Sequence, residues 1–214
     1  FVYIATSEVY GRQEHVPFEE NMLPNPISPY AVGKYSGELY CKMKMERSDR
    51  RIVVIRPFNA FGPYQSPRAI IAEMILTCLE GKPVYSTEGK QTRDFNFVGN
   101  LVDGFVMAGQ REEAIGETIN VGAGEGIPIR DLIRLIHSLT ESKSELHIGA
   151  LELRPTEIWR MFAANDKASE LLGWTPRVSF EQGLRITIEW YREFLAEFTR
   201  AGSNLLKLSN SPLP

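Results

Sequence analysis

Tyr30 and Lys34 stand four residues apart in Ser28-Pro29-Tyr30-Ala31-Val32-Gly33-Lys34, a stretch that opens like a helix. Four-residue spacing on a helix puts both side chains on one face. A tyrosine ordinarily keeps its proton to about pH 10. An ammonium one turn away and the positive end of a helix both stabilise the phenolate, and a phenolate can take the proton of an alcohol. Thr6-Ser7-Glu8 offers a second reactive set, with two hydroxyls able to hydrogen-bond a substrate oxygen and a carboxylate able to act as a base. A repeat of the first pattern, Tyr40-x-x-x-Lys44, falls mid-helix with no reactive neighbour in sequence and reads as surface.

These side chains need a frame. Short apolar runs alternate with amphipathic stretches, which predicts an α/β fold with a largely parallel sheet. Phe1 to Ala5 reads as a buried strand, so Thr6-Ser7-Glu8 falls at its carboxyl end, where parallel sheets place their ligand crevices. A proline-rich loop follows, and Ser28 as N-cap with Pro29 in the first turn starts a helix running to about Arg47. Arg51 to Arg56 reads as a second buried strand, and Pro57 to Pro63 as a turn-rich loop.

Farther on, 67–80 is expected to be an amphipathic helix and 83–87 a short strand. Arg93 to Val98 alternates, and Asn100 is expected to cap a helix reaching about Gln110. Thr118 to Val121 reads as a strand leading into Gly122-Ala123-Gly124-Glu125-Gly126. That run lacks the G-x-G-x-x-G spacing of a dinucleotide turn and reads as a plain loop. Helices are expected near 128–140, 166–172 and 179–200, the last with Ser179 and Gln182 as a capping box. Residues 201–214 show no sustained period and are expected to be a disordered tail.

Composition excludes several classes. Apolar residues at 43% and charged residues at 24% are those of an ordinary globular protein. No apolar run approaches the roughly 18 residues that span a bilayer, so no membrane partner is expected. A net charge of −3 supplies no basic stripe for nucleic acid. His15, His137 and His147 lack metal-ligand spacing, so no metal is expected. Cys41 and Cys78 suit a reducing cytoplasm.

Taken together, five motifs resemble successive signatures of the extended short-chain dehydrogenase/reductases, in the branch of NAD-dependent nucleotide-sugar epimerases and dehydratases. They are Thr6-Ser7-Glu8-Val9-Tyr10-Gly11, Ser28-Pro29-Tyr30-Ala31-x-x-Lys34, Arg56-Pro57-Phe58-Asn59-Ala60-Phe61-Gly62-Pro63, Arg93-Asp94-Phe95-x-x-Val98 and Leu171-x-Gly173-Trp174-x-Pro176. The resemblance implies that Tyr30 removes the proton of the sugar C4 hydroxyl while hydride passes to NAD, and that Lys34 orients Tyr30 and contacts the cofactor. Pro57 is implied as a further cofactor contact. Glu8 stands where dehydratases keep the base for the C5 proton, and Thr6 where a substrate-contacting threonine is found. Ser7 fits GDP-mannose dehydratases, whereas other dehydratases carry an aspartate there and UDP-glucuronate decarboxylases show a similar Ser-Glu. The resemblance thus implies 4,6-dehydration of a nucleotide-diphosphate sugar, with 4-epimerisation and decarboxylation as alternatives. Asn59, Arg93 and Arg154 are implied as its phosphate grip, since a planar guanidinium donates paired hydrogen bonds to phosphate oxygens.

The resemblance also implies a partial Rossmann-like sheet. The glycine-rich turn that holds the NAD pyrophosphate is not found in 1–214, and the interior-strand character of Phe1–Ala5 predicts the downstream part of a longer polypeptide. This chain alone is then expected to bind NAD poorly or not at all. A catalytically inactive sugar-nucleotide binding or assembly module is the contrasting reading. Residues 1–62 and 92–110 are expected to form the sheet domain, and 63–91 with 111–200 a smaller substrate domain. An open sheet edge favours a homo-oligomer.

Overall fold

The computed structural model describes residues 1–153 and 157–200, with side chains through residue 197. The chain opens on β1 (Val2–Ile4) and a 3-10 turn (Ser7–Tyr10), then enters α1 (Pro29–Arg47). β2 (Val53–Pro57), β3 (Asn59–Phe61), α2 (Ile70–Leu79) and β4 (Val84–Ser86) follow. Next come β5 (Thr92–Arg93), β6 (Phe95–Phe97), α3 (Val98–Gln110), β7 (Thr118–Val121) and β8 (Ile127–Pro128). The described chain ends with α4 (Ile129–Leu139), β9 (Leu146–Ile148), α5 (Asp166–Leu172) and α6 (Phe180–Arg200).

β1, β2 and β7 form a parallel sheet in that order, with Ile4 opposite Ile55 and Ile55 opposite Ile119. Side chains alternate across it, as the strand period requires. Val53, Ile55, Ile119 and Val121 pack with Leu101 and Ala108 of α3 and with Ala168 and Leu172 of α5. Val54 and Ala5 pack with Cys41 of α1 on the opposite face. Helices therefore cover both faces, the arrangement that buries parallel strands on two sides. Val2, Tyr3 and Ile4 are half-buried rather than buried, because among the described residues β1 is the sheet's edge.

A second core joins α2, α4 and α6 through Ile71, Ile75, Leu132, Ile136, Leu184 and Ile188. Phe61 of β3 and Phe95 of β6 enter it from the strand side, each ring packed near Phe180. β7 and α5 pack with the three-stranded sheet although they lie within 111–200, because a strand that returns to an earlier sheet is not visible in chain order.

Two local expectations are corrected. The segment from Pro57 to Pro63 is not all loop: Pro57 ends β2, and Asn59–Phe61 pairs in parallel with Phe95–Phe97. Asn and Pro signalled a turn there, and tertiary pairing overrode the signal. Asn100 does not cap α3, which begins at Val98. Its buried amide instead clamps the segment before α6, accepting from the backbone of Arg177 and Val178 and donating to the Val178 carbonyl. The caps at Ser28 and Ser179 are as expected. Ser28 Oγ accepts from Ala31 N, and Ser179 and Gln182 exchange the reciprocal pair of bonds. No helix among the described residues is long and apolar enough to cross a membrane. The 201–214 tail lies outside the described residues.

Candidate active site

Two loops meet at the carboxyl ends of β1 and β2. At the first, Thr6 is buried and caps the 3-10 turn, its Oγ1 accepting from Glu8 N at 3.3 Å. Ser7 is buried too, and its hydroxyl points to the Met161 sulfur at 3.7 Å. Glu8 is exposed, and its Oε2 accepts a hydrogen bond from Ser28 Oγ at 3.2 Å. Because Ser28 is also the cap of α1, this bond ties the Thr6-Ser7-Glu8 segment to the helix that carries Tyr30 and Lys34.

On α1, Tyr30 lies in the first turn, 54% exposed, with Lys34 Nζ 5.9 Å from its ring centroid. Lys34 is anchored at both ends: Nζ donates to Ile4 O at 2.9 Å, and its carbonyl accepts from Tyr3 Oη at 3.0 Å. An ammonium has three donors, so one bond to the end of β1 leaves others for a ligand. Gly37 sits where Tyr3 Oη passes 1.9 Å from the place a Cβ would take, so the close approach of helix to strand requires glycine. The second pair, Tyr40 and Lys44, contact each other on the surface, with Nζ 5.4 Å from the ring centroid.

Lys34 is followed one turn later by Glu38, a residue that the sequence reading passed over. Glu38 and Arg56 meet in two hydrogen bonds, 3.0 and 2.7 Å, with side-chain exposures of 0% and 2%. Burial works against the charged guanidinium, and the Glu38 bonds outweigh it, so Arg56 is held more firmly protonated than usual. Arg56 also lies 4.7 Å from the Tyr10 ring centroid, and Tyr10 Oη donates to Asn120 Oδ1 at 2.7 Å. A buried network thus runs from α1 through β2 to the turn bearing Glu8. Two signals pointed to it: an arginine in the apolar run Arg51–Arg56, since a buried charge demands a partner, and Tyr30, Lys34 and Glu38 at four-residue spacing.

Of the other predicted residues, Asn59 and Arg93 lie beside Asp94. Asn59 donates from N and from Nδ2 to the Asp94 carbonyl, at 3.1 and 3.0 Å. The Asp94 carboxylate is fully buried and accepts from the amides of Ala123, Gly124 and Ala163, at 2.6, 3.0 and 3.1 Å. Burial pushes this carboxyl up to about 6, against those three donors. Consecutive amides of this kind make an anion-binding nest. In the Gly122–Gly126 loop the nest is filled by the protein's own aspartate, in keeping with its reading as a plain loop rather than a dinucleotide turn.

Arg93 is mostly buried. Its Nη1 donates to the carbonyls of Thr92 and Ile158, and its Nη2 pairs with Glu157. The guanidinium is oriented by internal partners, and part of its fork is taken by Glu157. Arg154 lies outside the described residues. Pro57 ends β2, half-buried and in register with Val121. The two groups are joined through a shared apolar cluster in which Met161, the partner of Ser7, packs with Phe58, which directly precedes Asn59. Among the described residues no cluster of three or more His, Cys, Asp or Glu could hold a metal.

The sequence and the fold both have relatives among known proteins. A family model described as GDP-mannose 4,6 dehydratase matches residues 1–187. The human dTDP-D-glucose 4,6-dehydratase is 32% identical over 199 residues, covering 90% of this chain and 56% of that protein. A UDP-glucose 4-epimerase of Mycolicibacterium smegmatis is 35% identical over 190 residues, covering 86% of this chain and 59% of its own length. The crystal structure of the UDP-glucuronic acid 4-epimerase of Bacillus cereus, in complex with UDP-glucuronic acid and NAD, superposes with a TM-score of 0.84 at 34% identity. That superposition covers 91% of this chain and 62% of the epimerase. The chain therefore spans less than two thirds of the length of these three relatives.

Proposed function

The chain belongs to the GDP-mannose 4,6 dehydratase family, among the nucleotide-sugar epimerases and dehydratases of the extended short-chain dehydrogenase/reductases, and from that membership we propose that it carries the substrate-side chemistry of a nucleotide-sugar 4,6-dehydratase. The observation that supports dehydration is the tether of the exposed Glu8 carboxylate to the cap of the helix bearing Tyr30 and Lys34. An acid–base pair on either side of a sugar ring is what loss of water from adjacent carbons requires.

In this reading Tyr30, as phenolate, takes the proton of the sugar C4 hydroxyl while the C4 hydrogen leaves as hydride, and C4 becomes a ketone. When bound, NAD supplies the acceptor for that hydride and its source for return to C6. Lys34 holds Tyr30 in place and would contact the nicotinamide ribose, and Pro57 would be a further contact of the cofactor. The ketone acidifies the C5 hydrogen, and Glu8 takes it as a proton. The C6 hydroxyl then departs as water, taking the proton held by Glu8 and leaving a C5–C6 double bond. Return of hydride at C6 and of a proton at C5 completes a 4-keto-6-deoxy sugar, one water poorer than the substrate. Thr6 and Ser7 hold the ring hydroxyls, while Asn59, Arg93 and Arg154 grip the pyrophosphate.

The residues present suit the reactive end of NAD. The Gly122–Gly126 nest is closed to its pyrophosphate, since Asp94 takes the amides of Ala123 and Gly124. We assign residues 1–62 and 92–110, joined by Thr118–Val121 and Asp166–Leu172, to the sheet unit, and the rest of 63–91 and 111–200 to a unit that binds the sugar nucleotide. Self-association and a cytoplasmic setting belong to the same reading.

A second reading, 4-epimerisation, is favoured by the relatives and structural neighbours that are 4-epimerases. It needs Tyr30 and Lys34 but no C5 base. The full polypeptide carrying this sequence, supplied with NAD and with UDP-, GDP- and dTDP-hexoses in turn, should yield a 4-keto-6-deoxy product from one of them. A 4-epimer in its place establishes the second reading, and a pentose from UDP-glucuronate establishes decarboxylation. Calorimetric sugar-nucleotide binding with no turnover points to a binding module.

A further inference from the structure

Ser28 performs two tasks with one hydroxyl. Its lone pair accepts from Ala31 N at 3.1 Å, which caps α1, and its proton goes to Glu8 Oε2 at 3.2 Å. A serine hydroxyl has one donor and two acceptor sites, so both bonds form together. Its backbone, at φ −130° and ψ 152°, has the extended conformation of an N-cap.

Glu8 is thereby held at two points. Thr6 Oγ1 takes its backbone N–H, and Ser28 takes one of its carboxylate lone pairs. A carboxylate offers about four such sites, so a proton can still be accepted. The partner that fixes Glu8 is also the residue from which α1 starts, two positions before Tyr30. A displacement of the helix start therefore moves the phenol and the carboxylate together.

We propose that Ser28 is a positioning residue that sets Glu8 relative to Tyr30, so that the group removing the C5 proton and the group removing the C4 hydroxyl proton keep a fixed spacing around one sugar ring. This rests on the dehydratase reading above. Ser28 itself touches no reacting atom. It acts in the step where the C5–H bond breaks, its electron pair forms the C5–C6 double bond, the proton passes to Glu8, and the leaving C6 hydroxyl takes that proton from Glu8 to depart as water.

Glycine separates the two tasks, because a serine-to-glycine change at an N-cap costs the helix only a few tenths of a kcal/mol, while the donor to Glu8 disappears. In Ser28→Gly, side-chain NMR of Glu8 in the full polypeptide should change from one rotamer to an average of several. In the full polypeptide with NAD and a nucleotide hexose, deuterium entry at C5 should fall about tenfold, the cost of one such bond to a charged group. C4 oxidation, followed by reduced nicotinamide, should stay within about twofold. Ser28→Thr keeps donor and cap and should restore both. Parallel loss of C5 exchange and C4 oxidation in Ser28→Gly would show a cap and nothing more. An unchanged Glu8 rotamer would also overturn the proposal. Wild-type turnover with no C5 exchange at all removes the dehydratase reading, and the proposal with it, and the NMR result then reports separately whether Ser28 orders Glu8.

Discussion

Arg56 and Glu38 face each other as a two-hydrogen-bond ion pair sealed between α1 and β2, one turn along the helix from Lys34. Replacing one partner strands the other as a buried charge, which typically costs about 3–5 kcal/mol, whereas replacing both with apolar groups of similar volume is often neutral. Glu38→Ala should therefore lower the unfolding free energy by about 3–5 kcal/mol in urea, and Glu38→Leu combined with Arg56→Met by much less. A double-variant loss equal to the sum of the separate Glu38 and Arg56 losses would mean that the pair is not coupled.

Asp94 carries a pH signature. Its folded carboxyl is raised to about 6 by burial, whereas an unfolded aspartate titrates near about 3.9. Between those values the folded state holds a proton that the unfolded state has released. Stability from this group is complete below about pH 4 and is lost as pH rises through about 6. The wild type should thus show a steeper fall in stability over that window than Asp94→Asn, in urea titrations at several pH values. Asp94→Asn should also be less stable by about 1–3 kcal/mol, because its amide N–H faces donors rather than acceptors. A wild type whose stability rises relative to the variant across the window contradicts the assignment.

How much of this was legible in the sequence differs by residue. Ser28, Ser179 and Gln182 were readable as caps because capping is local, and Thr118–Val121 and Asp166–Leu172 follow short-range periodicity. Asn59–Phe61 was not, since its strand exists only through pairing with Phe95–Phe97, some thirty residues on. The same holds for the site. Tyr30 and Lys34 were legible as candidates from their spacing on one helix, and Glu8 as a carboxylate following a strand. The tether from Ser28 to Glu8, the Asp94 nest and the Arg93–Glu157 pair each join distant segments, and no local pattern encodes them.

Arg93 is oriented by the Thr92 and Ile158 carbonyls as well as by Glu157, a set of directions that only a planar guanidinium can satisfy at once. If it grips the sugar-nucleotide pyrophosphate, Arg93→Lys should weaken binding by about tenfold or more despite keeping the charge. Isothermal calorimetry with the matching nucleoside diphosphate reads this directly, and an unaltered Kd would remove Arg93 from the grip.

Tyr30 and Glu8 are assigned to successive steps, so their variants should fail at different points. Single-turnover mixing of the full polypeptide, NAD and the nucleotide hexose separates them, with reduced nicotinamide reporting C4 oxidation and the 4-keto-6-deoxy sugar reporting loss of water. Tyr30→Phe should lower oxidation by at least about a hundredfold, the usual contribution of a positioned base. Glu8→Gln should oxidise C4 at close to the wild-type rate and then stall before water is lost. Dehydration at full rate by Glu8→Gln, or normal oxidation by Tyr30→Phe, would contradict the account.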